Sequence, residues 1–302
     1  MERELDLRDV RAFCRIAENG SLTRAAAVMG VAQSALSRRI AALERGLGGR
    51  LFHRTGRGAL PTDLGERLLP RARNLLLEAD ALLGEGRGER ASPAGAVELA
   101  LVPAVSRPLV SLLVRRLREE FPRIRLRATE GYSGDVETWL ADGRADLGLF
   151  NRYGRGRVRD AEPVLGSDMV LVTPRGRFPP RTARLPFLAL DGLPLALPPR
   201  PNSLVSALSD LALRHRVRLD FALEASAPAI IRDAVANAGL CTLVPPHLAA
   251  REYPGADFQV IPIGSPALHQ RTWLAFTSRH PATLATRAVA RLVREIIAAR
   301  LG

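Results

Sequence analysis

Between Thr23 and Glu44 the chain reads TRAAAVMGVAQSALSRRIAALE, and no other run restricts the fold so tightly. An alanine-rich helical segment is cut by Gly30, and a second helical segment begins within three residues. With residues 21–29 as one helix and 32–47 as the next, Leu22, Ala25, Ala26 and Met29 face inward from the first. Leu36, Ile40, Leu43 and Leu47 do so from the second, at the steps of 4, 3 and 4 that mark one helical face. Ala25 and Ala26 are small enough for close helix approach, and Gly30 permits the tight bend. Two short helices joined in this way form a helix-turn-helix. The outward face of the second helix then carries Gln33, Ser34, Ser37 and Arg38 near its N-terminus. An amide can pair with adenine, a guanidinium with guanine, and a hydroxyl with a base or a phosphate. The N-terminal end of such a helix is the one that enters the major groove. A solvated polar face accounts for any one of these residues. The tight helix pair, glycine turn and short polar side chains together favour DNA.

The flanking sequence extends this unit. Val10, Phe13 and Ala17 recur at helical spacing, Asn19-Gly20 suits a helix end, and Ser21 suits the N-cap that follows. After Gly48-Gly49, RLFHRTGRGALPT reads as a hairpin turning at residues 56–58. Thr62-Asp63 opens a long helix in which Leu68, Ala72, Leu75, Ala79 and Leu82 step by 4, 3, 4 and 3, the seam of a helix pair. That spacing predicts a dimer, the alternative being that the stripe packs on its own domain. GEGRGERASPAGA then reads as a flexible hinge.

Beyond the hinge the pattern changes. VELALV, IRLRAT, ADLGLF, DMVLVT, LPLALP, DFALEA, LCTLVP, DFQVIPI and RTWLAF read as strands, with helices near 107–120, 134–142, 203–216, 228–238 and 282–300. Short apolar strands between helices predict α/β units around a largely parallel sheet, in one large domain or two lobes.

Charge and composition narrow the function. The net charge is +13, and every basic residue is Arg. Such a balance favours an anionic partner, although an Arg-rich codon usage accounts for it equally well. No apolar run reaches the roughly 18 residues of a membrane span, and the first 20 residues lack the apolar core of a secretory signal. A cytoplasmic protein with no membrane partner is expected. Cys14 and Cys241 lie in apolar patterns and read as packing thiols. His53, His215, His247, His269 and His280 are dispersed without metal-ligand spacing, and GEGRG follows no strand, as a nucleotide loop would. No reactive constellation is present, so neither an enzyme nor a cofactor nor a metal site is expected.

Residues 5–83, and above all FCRIAENGSLTRAAAVMGVAQSALSRRIAALERGLGGRLFHRTGRGALPTDLGERLL, resemble the DNA-binding half of the LysR-type transcriptional regulators. LALVPAVSRPL, EGYSGDVETWLADGRADLGLF and AGLCTLVPPHLAA fall where that family has its two-lobed α/β effector domain, itself similar to periplasmic binding proteins. The middle motif also resembles the nitrogen-assimilation-control branch. The resemblance implies a winged helix-turn-helix over residues 1–61, a linker and dimerisation helix over 62–90, and an effector-binding domain over 91–302. It places Gln33, Ser34, Ser37 and Arg38 in the groove, Thr23 and Arg24 near the DNA backbone, and Arg54 of the wing at a phosphate or the minor groove. Family members commonly have Pro where this chain has Ser34, so no known operator is carried over.

In the effector half, Ser106, Tyr132-Ser133-Gly134 and Asn202-Ser203 stand at helix starts, where exposed N–H groups and hydroxyls suit an anion. The alternative is that they are simply N-caps. Their convergence in one cleft is what the resemblance implies. Pro245 is expected either to shape the cleft floor or to end a strand. Where the family usually has Ser directly after Pro, this chain has Pro103-Ala104, with Ser106 as a substitute. The implied partners are double-stranded DNA and a small anionic effector such as a carboxylate. Further copies of the chain are also implied, a homodimer assembling to a homotetramer, with RNA polymerase as a further candidate. The other reading is a ligand-independent DNA-binding protein whose α/β half serves only assembly.

Overall fold

The computed structural model describes residues 5–55, 58–86, 93–154 and 156–301; the side chains of 54, 55, 77, 78 and 81–86 lie outside that description. The chain divides into two compact units, Met1–Ala96 and Val97–Gly302.

The first unit begins with three helices, each ended by a glycine in the left-handed conformation. These are α1 (Leu7–Asn19, stopped at Gly20), α2 (Leu22–Met29, stopped at Gly30) and α3 (Gln33–Leu47, stopped at Gly48). A residue with a Cβ would be strained at φ 65°, so Gly30 gives the helix pair its bend. Ser21 caps α2 through the Arg24 N–H, as expected. An antiparallel hairpin follows, β1 (Phe52–Thr55) with β2 (Gly58–Pro61), in the register Phe52↔Pro61. Its turn residues 56 and 57 lie outside the described residues.

The linker helix α4 spans Asp63–Gly86. Thr62 anchors its start, with Oγ1 accepting from the Gly65 N–H at 3.1 Å and donating to the Arg50 carbonyl at 2.6 Å. Gly65 has to be a glycine for a packing reason, since a Cβ there would stand 2.2 Å from the Leu51 carbonyl oxygen. The core joins Phe13 and Ile16 of α1, Ala25 and Ala26 of α2, Leu36, Ile40 and Leu43 of α3, and Leu51, Phe52 and Ala59 around the wing. Phe13 and Phe52 meet edge to face at 5.4 Å.

Two expectations need correction here. Leu47 is 40% exposed, because α3 has run past the core by its last turn. Leu68 and Ala72 pack on the unit's own core, so the first half of the predicted seam is occupied within the unit. Leu75 is left 39% exposed, and the Leu82 side chain and hinge residues 87–92 lie outside the described residues.

In the second unit one lobe is built on a five-stranded sheet. It contains β3 (Gly95–Leu101), α5 (Pro103–Glu120), β4 (Ile124–Glu130), α6 (Ser133–Asp142), β5 (Leu147–Tyr153) and β6 (Ala161–Asp168). The chain then crosses into the other lobe. There it forms β7 (Val170–Pro174), a short 3₁₀ turn, β8 (Pro194–Leu197), α7 (Ser203–His215), β9 (Asp220–Glu224) and α8 (Pro228–Asn237). β10 (Thr242–Val244), α9 (Pro246–Glu252) and β11 (Phe258–Pro262) complete that lobe. The chain returns through β12 (His269–Phe276) and ends in α10 (Leu284–Arg300), which packs against α5.

The first lobe's sheet has the order β4-β3-β5-β12-β6, and the second lobe carries β10-β7-β11 and β8-β9. The expected, largely parallel sheet is therefore a mixed one. β3 with β5 and β8 with β9 are parallel, whereas β12 runs antiparallel to both its neighbours, as does β7. The return of the chain from one lobe to the other forces this, since β12 re-enters the first sheet from the far end. β6 escaped the strand pattern because Pro163 and Gly166 interrupt its apolar alternation. α5 also starts earlier than expected, at Pro103. Arg107 breaks its helical geometry (φ −111°, ψ 133°), as a residue preceding proline tends to do.

Candidate functional site

One surface on each unit gathers the residues singled out in the sequence. On the first, the start of α3 stands clear of the core, with Leu36 and Ile40 buried behind it. Gln33, Ser34 and Arg38 are exposed and Ser37 is half-buried, all on this one end of the helix. Ala32 offers no side-chain cap, so the first N–H groups of α3 remain without a side-chain partner and can meet an anion. Adjacent arginines separate by role: Arg39 reaches Asp9 of α1 at 3.5 Å, while Arg38 has no ion pair among the described residues. Thr23 and Arg24 are exposed in the first turn of α2. Arg54 lies on β1, and its side chain is outside the described residues. The wing is tied to the helices by the Ala59 N–H, which donates to the Gly20 carbonyl at 3.0 Å.

On the second unit a cavity of about 360 Å³ lies between the lobes, and Ser106, Tyr132, Ser133, Asn202, Ser203 and Pro245 all line it. The first residues of four helices, α5 to α8, and Pro245 at the N-cap of α9 contribute to its wall. Side-chain capping is seen at Asn202, whereas Ser106, Ser133 and Ser203 line the cavity without capping a helix. The Asn202 amide oxygen caps α7, accepting from the Leu204 N–H at 2.9 Å and the Val205 N–H at 3.4 Å. The Ser106 hydroxyl turns back to the Pro103 carbonyl at 3.2 Å, and Ala104 beside it adds no polar group. Gly134, by contrast, is exposed at the outer side of α6 and does not line the cavity. Pro245 is buried, follows β10 directly and sits at the N-cap of α9, so it both ends the strand and forms cleft wall.

Four polar contacts cross between the lobes around this cavity. Ser203 Oγ donates to Ser133 Oγ at 3.4 Å, and Ser133 Oγ also accepts from the Asn151 N–H at 3.0 Å. The Tyr132 hydroxyl donates to the Ser226 carbonyl at 2.8 Å, and burial pushes its pKa up to about 12, which keeps it a donor. Arg107 and Glu252 pair at 3.0 Å, with the Arg107 side chain 70% exposed. His247 Nε2 meets the Ala104 carbonyl at 3.0 Å, and burial holds its pKa below the usual histidine value. A hydrogen bond of this kind contributes about 1 kcal/mol and an exposed ion pair between about 0 and 1.

Several lining groups lie outside the residues expected from sequence. Asn151, Tyr153 and Gln270 flank the apolar strand runs, at the ends of β5 and β12, and Arg107 and Arg232 lie inside helical patterns. A polar residue in an apolar strand, such as Asn151 in ADLGLFN or Gln270 before RTWLAF, is the signal that was present. Among the described residues no group of His, Cys, Asp and Glu is arranged to hold a metal. No helix among them is long and apolar enough to cross a membrane.

Comparison with known proteins identifies both units. Residues 7–66 match the family described as bacterial regulatory helix-turn-helix protein, lysR family, and residues 90–298 match the LysR substrate binding domain. A protein of Mycobacterium leprae named a probable hydrogen peroxide-inducible genes activator is 29% identical over 95% of this chain and 93% of its own length. The nitrogen assimilation regulatory protein Nac of Klebsiella aerogenes is 29% identical over 83% of this chain and 82% of its own. Among solved structures, an OxyR cysteine mutant of Corynebacterium glutamicum superposes with a TM-score of 0.67 at 24% identity, covering 100% of this chain and 95% of that one. Full-length CbnR in complex with its target DNA superposes with a TM-score of 0.51 at 20% identity, covering 96% of this chain and 99% of that one. A helix-turn-helix with its polar face free and a two-lobed unit around one cleft, matched over nearly the whole chain, make this protein a member of the LysR family of DNA-binding transcriptional regulators.

Proposed function

We propose that this regulator reads DNA through Gln33, Ser34, Ser37 and Arg38 and senses a small anionic ligand, a carboxylate in the first instance, in the interlobe cavity. Thr23, Arg24 and Arg54 hold the DNA backbone in this reading. The working unit is a homodimer that assembles to a homotetramer, through which ligand binding alters contacts with promoter DNA and RNA polymerase. The observation that carries the sensor reading is the convergence of helix starts on one cavity. α5 and α8 start without side-chain caps, so their first-turn N–H groups and positive dipole ends favour negative charge. Ser133 and Ser203 add hydroxyls from opposite lobes, so a ligand between them would set the lobe spacing.

The name of the Mycobacterium leprae relative raises peroxide sensing as a second reading. The thiolate is the reactive form of cysteine. Here both Cys14 and Cys241 are buried; burial pushes the Cys14 thiol up to about 11 and raises that of Cys241. These thiols do not support peroxide chemistry, and the anionic ligand is the better reading.

The test is calorimetric titration of the full chain with benzoate, succinate and citrate, beside a Ser133→Ala, Ser203→Ala double variant. Saturable binding to one of them, weakened about tenfold or more in the variant, is expected, since a hydrogen bond to a charged group contributes about 1.5 to 3 kcal/mol. No binding of any of the three, together with unaltered assembly and DNA binding, favours a domain that serves assembly alone.

A further inference from the structure

The two lobes are joined by two crossings that run side by side: β6 passes through Asp168 and Met169 into β7, and the return passes through Leu268 and His269 into β12. They are stitched together by the Met169 N–H, which donates to the Leu268 carbonyl at 2.9 Å, and the return crossing is tied to the end of β5 by the Gly154 N–H, which donates to the His269 carbonyl at 2.9 Å. His269 lies opposite Asp168 in the sheet register, and their side chains meet at 2.9 Å.

Side chains on a strand alternate between faces, and here the alternation separates two cavities. Met169 and Gln270 face the interlobe cavity, whereas Asp168, His269 and Arg271 face a second one, of about 790 Å³, behind the hinge. Its other wall is α7, through Asp210, Leu211 and Arg214. Tyr153 stands between the two cavities, lines both and donates its hydroxyl to Gln270 at 3.1 Å.

The charges in this second cavity are unequally satisfied. Asp168 is engaged by His269. Arg214 and Asp210 are exposed one turn apart on α7, with Arg214 Nε donating to the Asp210 carbonyl at 3.1 Å. Arg271 is half-buried, and its side chain makes neither a hydrogen bond nor an ion pair among the described residues. A guanidinium withdrawn from water without a partner is unfavourable, and its planar fork matches a carboxylate or phosphate.

We propose that the back of the hinge is a second binding site, for a small oxyanion, with Arg271 as its anchor and Arg214 at its mouth. The site is distinct from the interlobe cavity and stands whether or not that cavity binds a ligand. An anion here touches both crossings and α7, the elements that any change in lobe angle must move.

The test is titration of the full chain with inorganic phosphate and, separately, with succinate, at ionic strength held constant with chloride. The DNA-reading unit contributes the same background to every variant, so the comparison between variants is the readout. Wild type should show a saturable component for one of the two anions, and which one binds distinguishes a phosphate from a carboxylate ligand. Arg271→Gln should weaken that component at least tenfold and Arg271→Lys should weaken it less, because the charge is kept and the fork lost. Arg118→Gln, on the exposed face of α5 and lining neither cavity, should leave it unchanged. Should Arg271→Gln fail to fold, Arg214→Gln on the exposed mouth replaces it, with a smaller loss expected. Equal affinity in wild type and the arginine variants, or no saturable component beyond chloride, overturns the proposal.

Discussion

At the scale of single residues, Arg38 and Arg39 show how neighbouring guanidinium groups come to differ. Arg39 is drawn to Asp9 and holds α3 to α1, while Arg38, one position earlier, is exposed and has no acidic partner among the described residues. Substituting the free one should remove base recognition and leave the fold intact. Arg38→Ala is expected to weaken binding to the specific site by about 1 to 3 kcal/mol and to relax base choice at one position, with little change on random DNA. Binding isotherms on both DNAs measure this, and an equal loss on each would contradict a base-reading role. The exposure of Gln33, Ser34 and Arg38 on one end of α3 is legible in the sequence because helical periodicity assigns each residue of a short helix to a face. Ser133, Asn202 and Ser203 were legible because helix starts need polar side chains. Arg107, Asn151 and Gln270 were not, because their place in the cleft depends on how two distant segments cross.

At the scale of elements, α4 divides into two parts. Leu68 and Ala72 serve the core of their own unit, while Leu75, one turn further on, is left partly exposed and half-buried Ala79 lies beyond it. A heptad-like stripe looks the same in sequence whether it packs on its own domain or on another chain, so its spacing alone could not separate these uses. If the second half pairs with the same helix of another copy, Leu75→Glu should convert dimer to monomer in sedimentation velocity. The melting temperature of the DNA-reading unit should hardly change, since exposed substitutions usually stay within about 0.5 kcal/mol. A Leu75→Glu protein that remains dimeric would move the interface elsewhere. The sheets teach a related lesson. Strand and helix alternation was readable, but the antiparallel course of β12 follows from the chain's return across the hinge, which no local pattern records.

For the whole molecule, one unit reads DNA and the other has a cleft whose lobes are held by contacts of about 1 kcal/mol each. In the proposed sensor reading, a ligand that binds one lobe spacing more tightly than another shifts the lobes once that difference in affinity exceeds these weak contacts. The strongly positive charge of the chain adds attraction for any DNA, which a specific regulator has to exceed at its own site. The most direct measurement is therefore a footprint of the full-length protein on the DNA upstream of its own gene and the neighbouring gene, at several salt concentrations and with excess random competitor. A protected site that survives competitor, is two-fold symmetric and has half-sites about one helical turn or a multiple apart is the expected result. Protection that smears along the DNA and disappears with modest salt or competitor, with and without the ligand found by titration, would contradict sequence-specific reading by α3.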